Sequence, residues 1–151
     1  MPKIALDTSV IIEYIDKDSE FNDQATGVFA SLKKGELEAI VPHPILSETY
    51  YVSAKIYRKL GVEKPHSLSA ALVEWLFRLP SVTIPAENKD LAIEAGKTKL
   101  AYCIALTDCY VLAASQIYNC KALFKKPECE MAQKLNTLKK TYQLVFLSDY
   151  R

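Results

Sequence analysis

Three carboxylates stand among residues that belong in a protein interior. Asp7 follows the apolar run Ile4-Ala5-Leu6, Glu48 lies within Ile45-Leu46-Ser47-Glu48-Thr49-Tyr50-Tyr51, and Asp108 lies near the start of Leu106-Thr107-Asp108-Cys109-Tyr110-Val111-Leu112-Ala113-Ala114. Acidic side chains are almost never fully buried unless paired, and an isolated charged carboxylate in apolar surroundings is costly. Several acids converging on one cleft can instead share a divalent cation, which offsets their repulsion. Hard cations such as magnesium take oxygen ligands and keep several waters. Such a centre suits phosphodiester hydrolysis, because the ion activates a water and stabilises the leaving oxygen while neutralising charge on the phosphate. No Ser–His or Cys–His arrangement offers a nucleophile in its place.

Each acid also has an ordinary structural reading. Asp7 could cap a helix that follows a strand. Asp108 could be a first-turn acid that favours the helix dipole. Glu48 could sit on a solvated helix face. The three are far apart in sequence, so only a fold can bring them together.

The elements that must do so alternate between strand and helix. Lys3–Leu6 is predicted as a buried strand, followed by a helix capped by Thr8 or Ser9 and running to Ile15. Phe21 to Lys34 carries helical spacing at Phe21, Ala25, Val28, Phe29 and Leu32 and stops at Gly35. Leu37–Val41 is a second strand. Helices follow over Ile45–Leu60 and Leu68–Leu79, then a strand at Val82–Ile84. Asn88 caps a helix to about Ala101, and Thr107 begins another to about Tyr118. Lys121–Phe124 is a strand, Pro127 opens a helix to about Leu138, and Leu144–Leu147 is the last strand. This alternation predicts an α/β fold: three layers, α/β/α, around a mostly parallel central sheet. Ligands in such sheets bind outside the carboxyl ends of the strands. Asp7 stands at one of those ends.

Composition narrows the alternatives. The 151 residues are the size of one domain. Half are hydrophobic, which suits a packed core and not a disordered chain. Nineteen basic and eighteen acidic residues leave a net charge of +1, so any nucleic acid must bind a local patch. No apolar run approaches the roughly 20 residues that span a bilayer. The opening stretch is not that of a signal peptide, so a cytoplasmic location is the expectation. Cys103, Cys109, Cys120 and Cys129 lack zinc-site spacing and are expected to be reduced, mostly buried thiols.

At the three acids the sequence resembles the PIN-domain family, and within it the single-domain, toxin-like members. Ile4-Ala5-Leu6-Asp7-Thr8-Ser9-Val10-Ile11-Ile12 resembles the family's first motif, Leu46-Ser47-Glu48 the second, and Leu106–Ala114 the third. The resemblance covers nearly the whole chain. It implies a metal-dependent ribonuclease that uses Mg2+ or Mn2+, with Asp7, Glu48 and Asp108 as metal ligands and Thr8, Ser9 and Thr107 as supporting hydroxyls. It also implies RNA as substrate, a small antitoxin as partner and a homodimer. The apolar helices between Tyr50 and Leu79 would form the partner surfaces. The chain departs from the family after Phe124, where an Asp following a Thr is usual and Phe124-Lys125-Lys126-Pro127-Glu128-Cys129-Glu130 stands instead. Glu128 is the expected substitute as the fourth catalytic and metal-binding acid, with Glu130 the second choice. Lys125 and Lys126 adjoin this point and are candidates for RNA phosphate contact. Trp75, with Leu72, Leu76 and Leu79, reads as core or interface. A catalytically silent PIN-like module that binds RNA or protein is the alternative function.

Overall fold

The structure is a computed structural model that describes residues 1–86 and 88–150. The first strand, β1 (Lys3–Leu6), is apolar and buried on both faces from Ile4 to Leu6, as a strand covered by helices on each side must be. Asp7 ends it and opens α1 (Thr8–Ile15). α2 (Asn22–Lys34) stops at Gly35, whose φ of 74° is the left-handed conformation that terminates helices at little cost to glycine. β2 (Glu38–Ile40), α3 (His43–Lys59), α4 (Pro65–Arg78) and β3 (Val82–Thr83) follow. Then come α5 (Lys89–Tyr102), capped by the Asn88 side chain, α6 (Leu106–Ile117) and β4 (Lys121–Phe124). The chain closes through α7 (Cys129–Gln133), α8 (Leu135–Thr141), β5 (Leu144–Phe146) and a 3-10 turn (Leu147–Tyr150).

The five strands form one sheet in the order β3-β2-β1-β4-β5, and every pairing is parallel. The mostly parallel expectation therefore resolves to a wholly parallel sheet within the three-layer α/β/α fold. Chain order reverses beside β1, which pairs with β2 on one side and β4 on the other. A crevice opens at such a switch point beyond the carboxyl ends of the strands. The residues that enter it are those just after Leu6 and Phe124.

The core runs along the sheet and its helices through Leu6, Ile11, Phe29, Ile45, Leu76, Leu112 and Phe146. Tyr14 stacks on Phe29 with ring centroids 4.2 Å apart, and Trp75 lies 5.7 Å from Phe29. Trp75 thus packs against the core, which settles one of its two readings. α3 and α4 pack as a hairpin, joined by a buried hydrogen bond of 2.7 Å from Ser53 to Ser69. No helix among the described residues is long and apolar enough to cross a membrane.

Three expectations need correction. Asp7, not Thr8 or Ser9, caps α1: its carboxylate accepts the Ser9 amide. The helix expected from Pro127 to Leu138 is two short helices, and Pro127 lies outside both. Lys134 leaves helical geometry between them, and its ammonium donates to the Tyr102 carbonyl at the end of α5, one of the acceptors a helix terminus leaves open. Of the four free thiols, Cys109 and Cys120 are buried while Cys103 and Cys129 are exposed. Cys103 is the residue just after α5 and caps it in the left-handed conformation.

Candidate metal centre

The two carboxylate oxygens of Asp7 have different surroundings. Its Oδ2 accepts the Ser9 amide at 3.0 Å and the Ser9 hydroxyl at 2.6 Å. Its Oδ1 is buried and has no hydrogen-bond partner. An unsatisfied buried acceptor of this kind is costly and calls for an explanation. The capping reading and the ligand reading are therefore compatible, because they use different oxygens. Burial raises the Asp7 carboxyl from its usual 3.8 to about 6; the Ser9 hydrogen bonds oppose that shift, and the charge on Glu48 adds to it.

Glu48 lies half-buried on α3, where its Oε2 accepts the Thr107 hydroxyl at 2.9 Å. Thr107 precedes Asp108 in the first turn of α6, so this bond ties the second acid to the helix bearing the third. Asp108 is raised from 3.8 to about 7, first by burial, then by the charges of Asp7 and Glu48, then by Glu130 and Glu128. A helix dipole alone would favour the ionised acid at this position. Desolvation and neighbouring negative charge outweigh it. Asp7, Glu48 and Asp108 thus come within electrostatic reach of one another at the crevice.

Glu128 and Glu130 stand at its rim. Glu128 is the residue before α7, is exposed, and has its Oε1 3.8 Å from the Lys126 ammonium. Lys126 also lies 3.9 Å from Glu20. The Lys125 ammonium is 3.0 Å from Glu13 Oε1. The Thr8 hydroxyl is buried beside Asp7 without a hydrogen-bond partner.

Glu13 is a further buried acid close to Ser9. It is 3% exposed, and its Oε2 accepts the Phe21 amide at 2.8 Å. Its signal was available: an acid in the apolar run Val10–Ile15, four residues from Ser9 and hence on the same helix face.

The donor set is oxygen throughout, which suits magnesium or manganese. The open Oδ1 of Asp7 and the mutual repulsion around Asp108 fit a cation between these acids. The fit is not that of a closed cage: among the described residues, no three His, Cys, Asp or Glu side chains stand close enough to grip one ion as they lie. A groove of about 930 Å³ lies elsewhere, between α2 and the strands β1, β4 and β5, and none of the three acids lines it.

Comparisons with known proteins bear on the fold and the family. The chain superposes on VapBC-1 from nontypeable Haemophilus influenzae with a TM-score of 0.62 at 14% identity, covering 97% of this chain and 98% of that one. VapBC2 from Rickettsia felis, bound to a DNA fragment from its promoter, gives 0.65 at 12% identity over 95% and 98%. The Mycobacterium tuberculosis toxin VapC20, described as cleaving the sarcin–ricin loop, gives 0.61 at 15% over 79% and 86%. No curated protein sequence matches significantly. The PIN-domain family model matches residues 4–126, a span that holds all three buried or half-buried acids, and the chain belongs to the PIN-domain family.

Proposed function

We propose that the protein is a divalent-metal-dependent endoribonuclease and the toxin of a toxin–antitoxin pair, acting in the cytoplasm. The observation that carries this reading is the set Asp7, Glu48 and Asp108, three acids from three elements that repel one another at one crevice while one buried carboxylate oxygen is left open. Asp7, Glu48 and Asp108 would hold Mg2+ or Mn2+, with Glu128 as the fourth, outer acid. When bound, the ion supplies activation of water and stabilisation of charge on the scissile phosphate. The chain's own residues do the rest. Ser9 fixes the rotation of the Asp7 carboxylate, and Thr107 fixes that of Glu48. Thr8 offers a further buried hydroxyl beside them. Lys126 is the cation best placed to meet an RNA phosphate, with Lys125 behind it.

RNA as substrate is supported by family membership and by the description of the VapC20 relative as a toxin that cleaves the sarcin–ricin loop. An antitoxin partner is supported by a similar solved structure described as a toxin–antitoxin complex from Klebsiella pneumoniae. A homodimer is proposed with it, and a light-scattering mass equal to one chain would count against that. The test of function is incubation of total bacterial RNA with the protein and manganese, with Asp7→Asn and chelator controls. Discrete cleavage that both controls abolish supports the enzyme.

Two observations favour a second reading, a catalytically silent PIN module that binds RNA or protein. The acids do not form a ready three-ligand cluster, and Lys125-Lys126 occupies the place where the family usually has its fourth acid. RNA binding without cleavage in the same experiment would select it.

A further inference from the structure

Ser9 and Glu13 lie one turn apart on the same face of α1, and both engage a single residue, Lys125. Ser9 Oγ accepts the Lys125 amide at 3.0 Å, and Glu13 Oε1 takes the Lys125 ammonium at 3.0 Å. The Lys125 carbonyl is held as well, accepting the Ser148 amide at 3.1 Å. The segment after β4 is therefore fixed at three points directly beside the site. The Ser9 hydroxyl accepts from Lys125 and donates its own proton to Asp7 Oδ2. A hydroxyl has one proton to give, so an amide arriving from Lys125 commits that proton to Asp7.

We propose that Glu13 is a positioning residue for the metal centre: its ion pair with Lys125 seats the segment after β4, the seated amide orients Ser9, and Ser9 turns the Asp7 carboxylate so that Oδ1 faces the crevice. This rests on the reading of Asp7 as a metal ligand. Burial makes the arrangement specific. Glu13 is 3% exposed, and a buried carboxylate keeps its charge only with partners that satisfy it. Its second oxygen accepts the Phe21 amide, which anchors the acid at the start of α2. The proposal also assigns Lys125 a task within the fold and leaves Lys126 as the nearby cation available to substrate.

Two measurements test it. Amide hydrogen exchange reads the seating without metal. In Glu13→Gln, protection of the Lys125 amide should fall by about 10-fold or more, while that of Ala122 within β4 stays unchanged. Unaltered Lys125 protection overturns the proposal. Calorimetric manganese titration then reads the consequence. Glu13→Gln should weaken binding roughly 10-fold, the size of effect that outer hydrogen-bond partners of metal ligands have. In a Ser9→Ala background the same change should cost less than about 2-fold, because the route to Asp7 is already cut. An equal loss in both backgrounds means that Glu13 acts only on general stability and overturns the proposal. Should Glu13→Gln not fold, Glu13→Gln with Lys125→Met removes both charges together and leaves none unpaired. Wild-type protein that binds no manganese overturns the metal-site reading and the metal role of Glu13 with it. That failure is told apart by the exchange data, which still report whether Glu13 seats the segment.

Discussion

The two strand ends that border the crevice are built differently. At the end of β1, Asp7 is 5% exposed, one of its oxygens is fixed by two bonds from Ser9, and burial dominates its electrostatics. Beyond the end of β4, Glu128 has a side chain 52% exposed, opposite a lysine at 3.8 Å. Glu128 and Glu130 act on Asp108 only as the lesser charges in its surroundings. The difference teaches that sharing a crevice does not make acids equivalent. The β1 side and the helices above it hold Asp7 and Glu48, each oriented by a hydroxyl, and Asp7 and Asp108, each raised first by burial, where charge interactions are strong. The β4 side offers solvated acids whose fields are screened.

The sharpest way to break this contrast is to neutralise an acid on each side. Asp7→Asn or Asp108→Asn should lower RNA cleavage by at least about 100-fold, the scale of losing one group that stabilises transition-state charge, with kcat falling more than KM rises. A comparable loss from Glu128→Gln would place the centre on the β4 side.

Next in size is Thr107→Val. It removes the donor that holds Glu48 and should weaken manganese binding by roughly 10-fold, with helix content unchanged by circular dichroism. Unaltered affinity would show that Glu48 needs no orientation.

A stability experiment sharpens the same point without substrate. The folded Asp108 carboxyl is raised to about 7 from 3.8, so between these values the folded state binds more protons than the unfolded state, and stability falls as pH rises. The penalty is absent below about pH 4 and complete above about pH 7. Asp108→Asn should therefore raise the Tm of the metal-free protein above pH 7, by roughly 3 to 8 °C for about 1 to 2 kcal/mol in a chain of this length. The gain should shrink towards pH 4. Thermal scans across that range check it.

The smallest effects should come from the rim. Glu128→Gln and Glu130→Gln should each change cleavage by less than about 5-fold and leave the Tm within about 2 °C, as surface substitutions usually do. Steady-state kinetics and a thermal scan suffice.

These regions also differ in how far the sequence disclosed them. Asp7 was legible as the acid where an apolar strand gives way to a helix, and its capping role was one of the two readings that position offered. Glu48 and Asp108 were legible as acids in apolar helices, but their nearness to each other and the Thr107–Glu48 bond came only with the fold. A mostly parallel sheet followed from the alternation of elements, whereas the strand order came only with the fold. Glu13 was not legible in role, because one acid on a short helix reads as a solvated position until its partners are known. Those partners include Lys125, which lies 116 residues from Ser9 and beside it only in the fold. The break at Lys134 was hidden for the same reason, since what draws its ammonium is a carbonyl at the end of α5. Local pattern reveals residues whose neighbours in sequence explain them, and tertiary partners must explain the rest.

The central claim is that Asp7, Glu48 and Asp108 form one cation site. A calorimetric manganese titration of the wild-type protein beside Asp108→Asn at pH 7.5 tests it most directly, where both Asp7 and Asp108 are largely ionised. The account predicts saturable binding by the wild type and its loss in the variant, with the fold intact by circular dichroism. Equal binding by both proteins, or none by either, would contradict it.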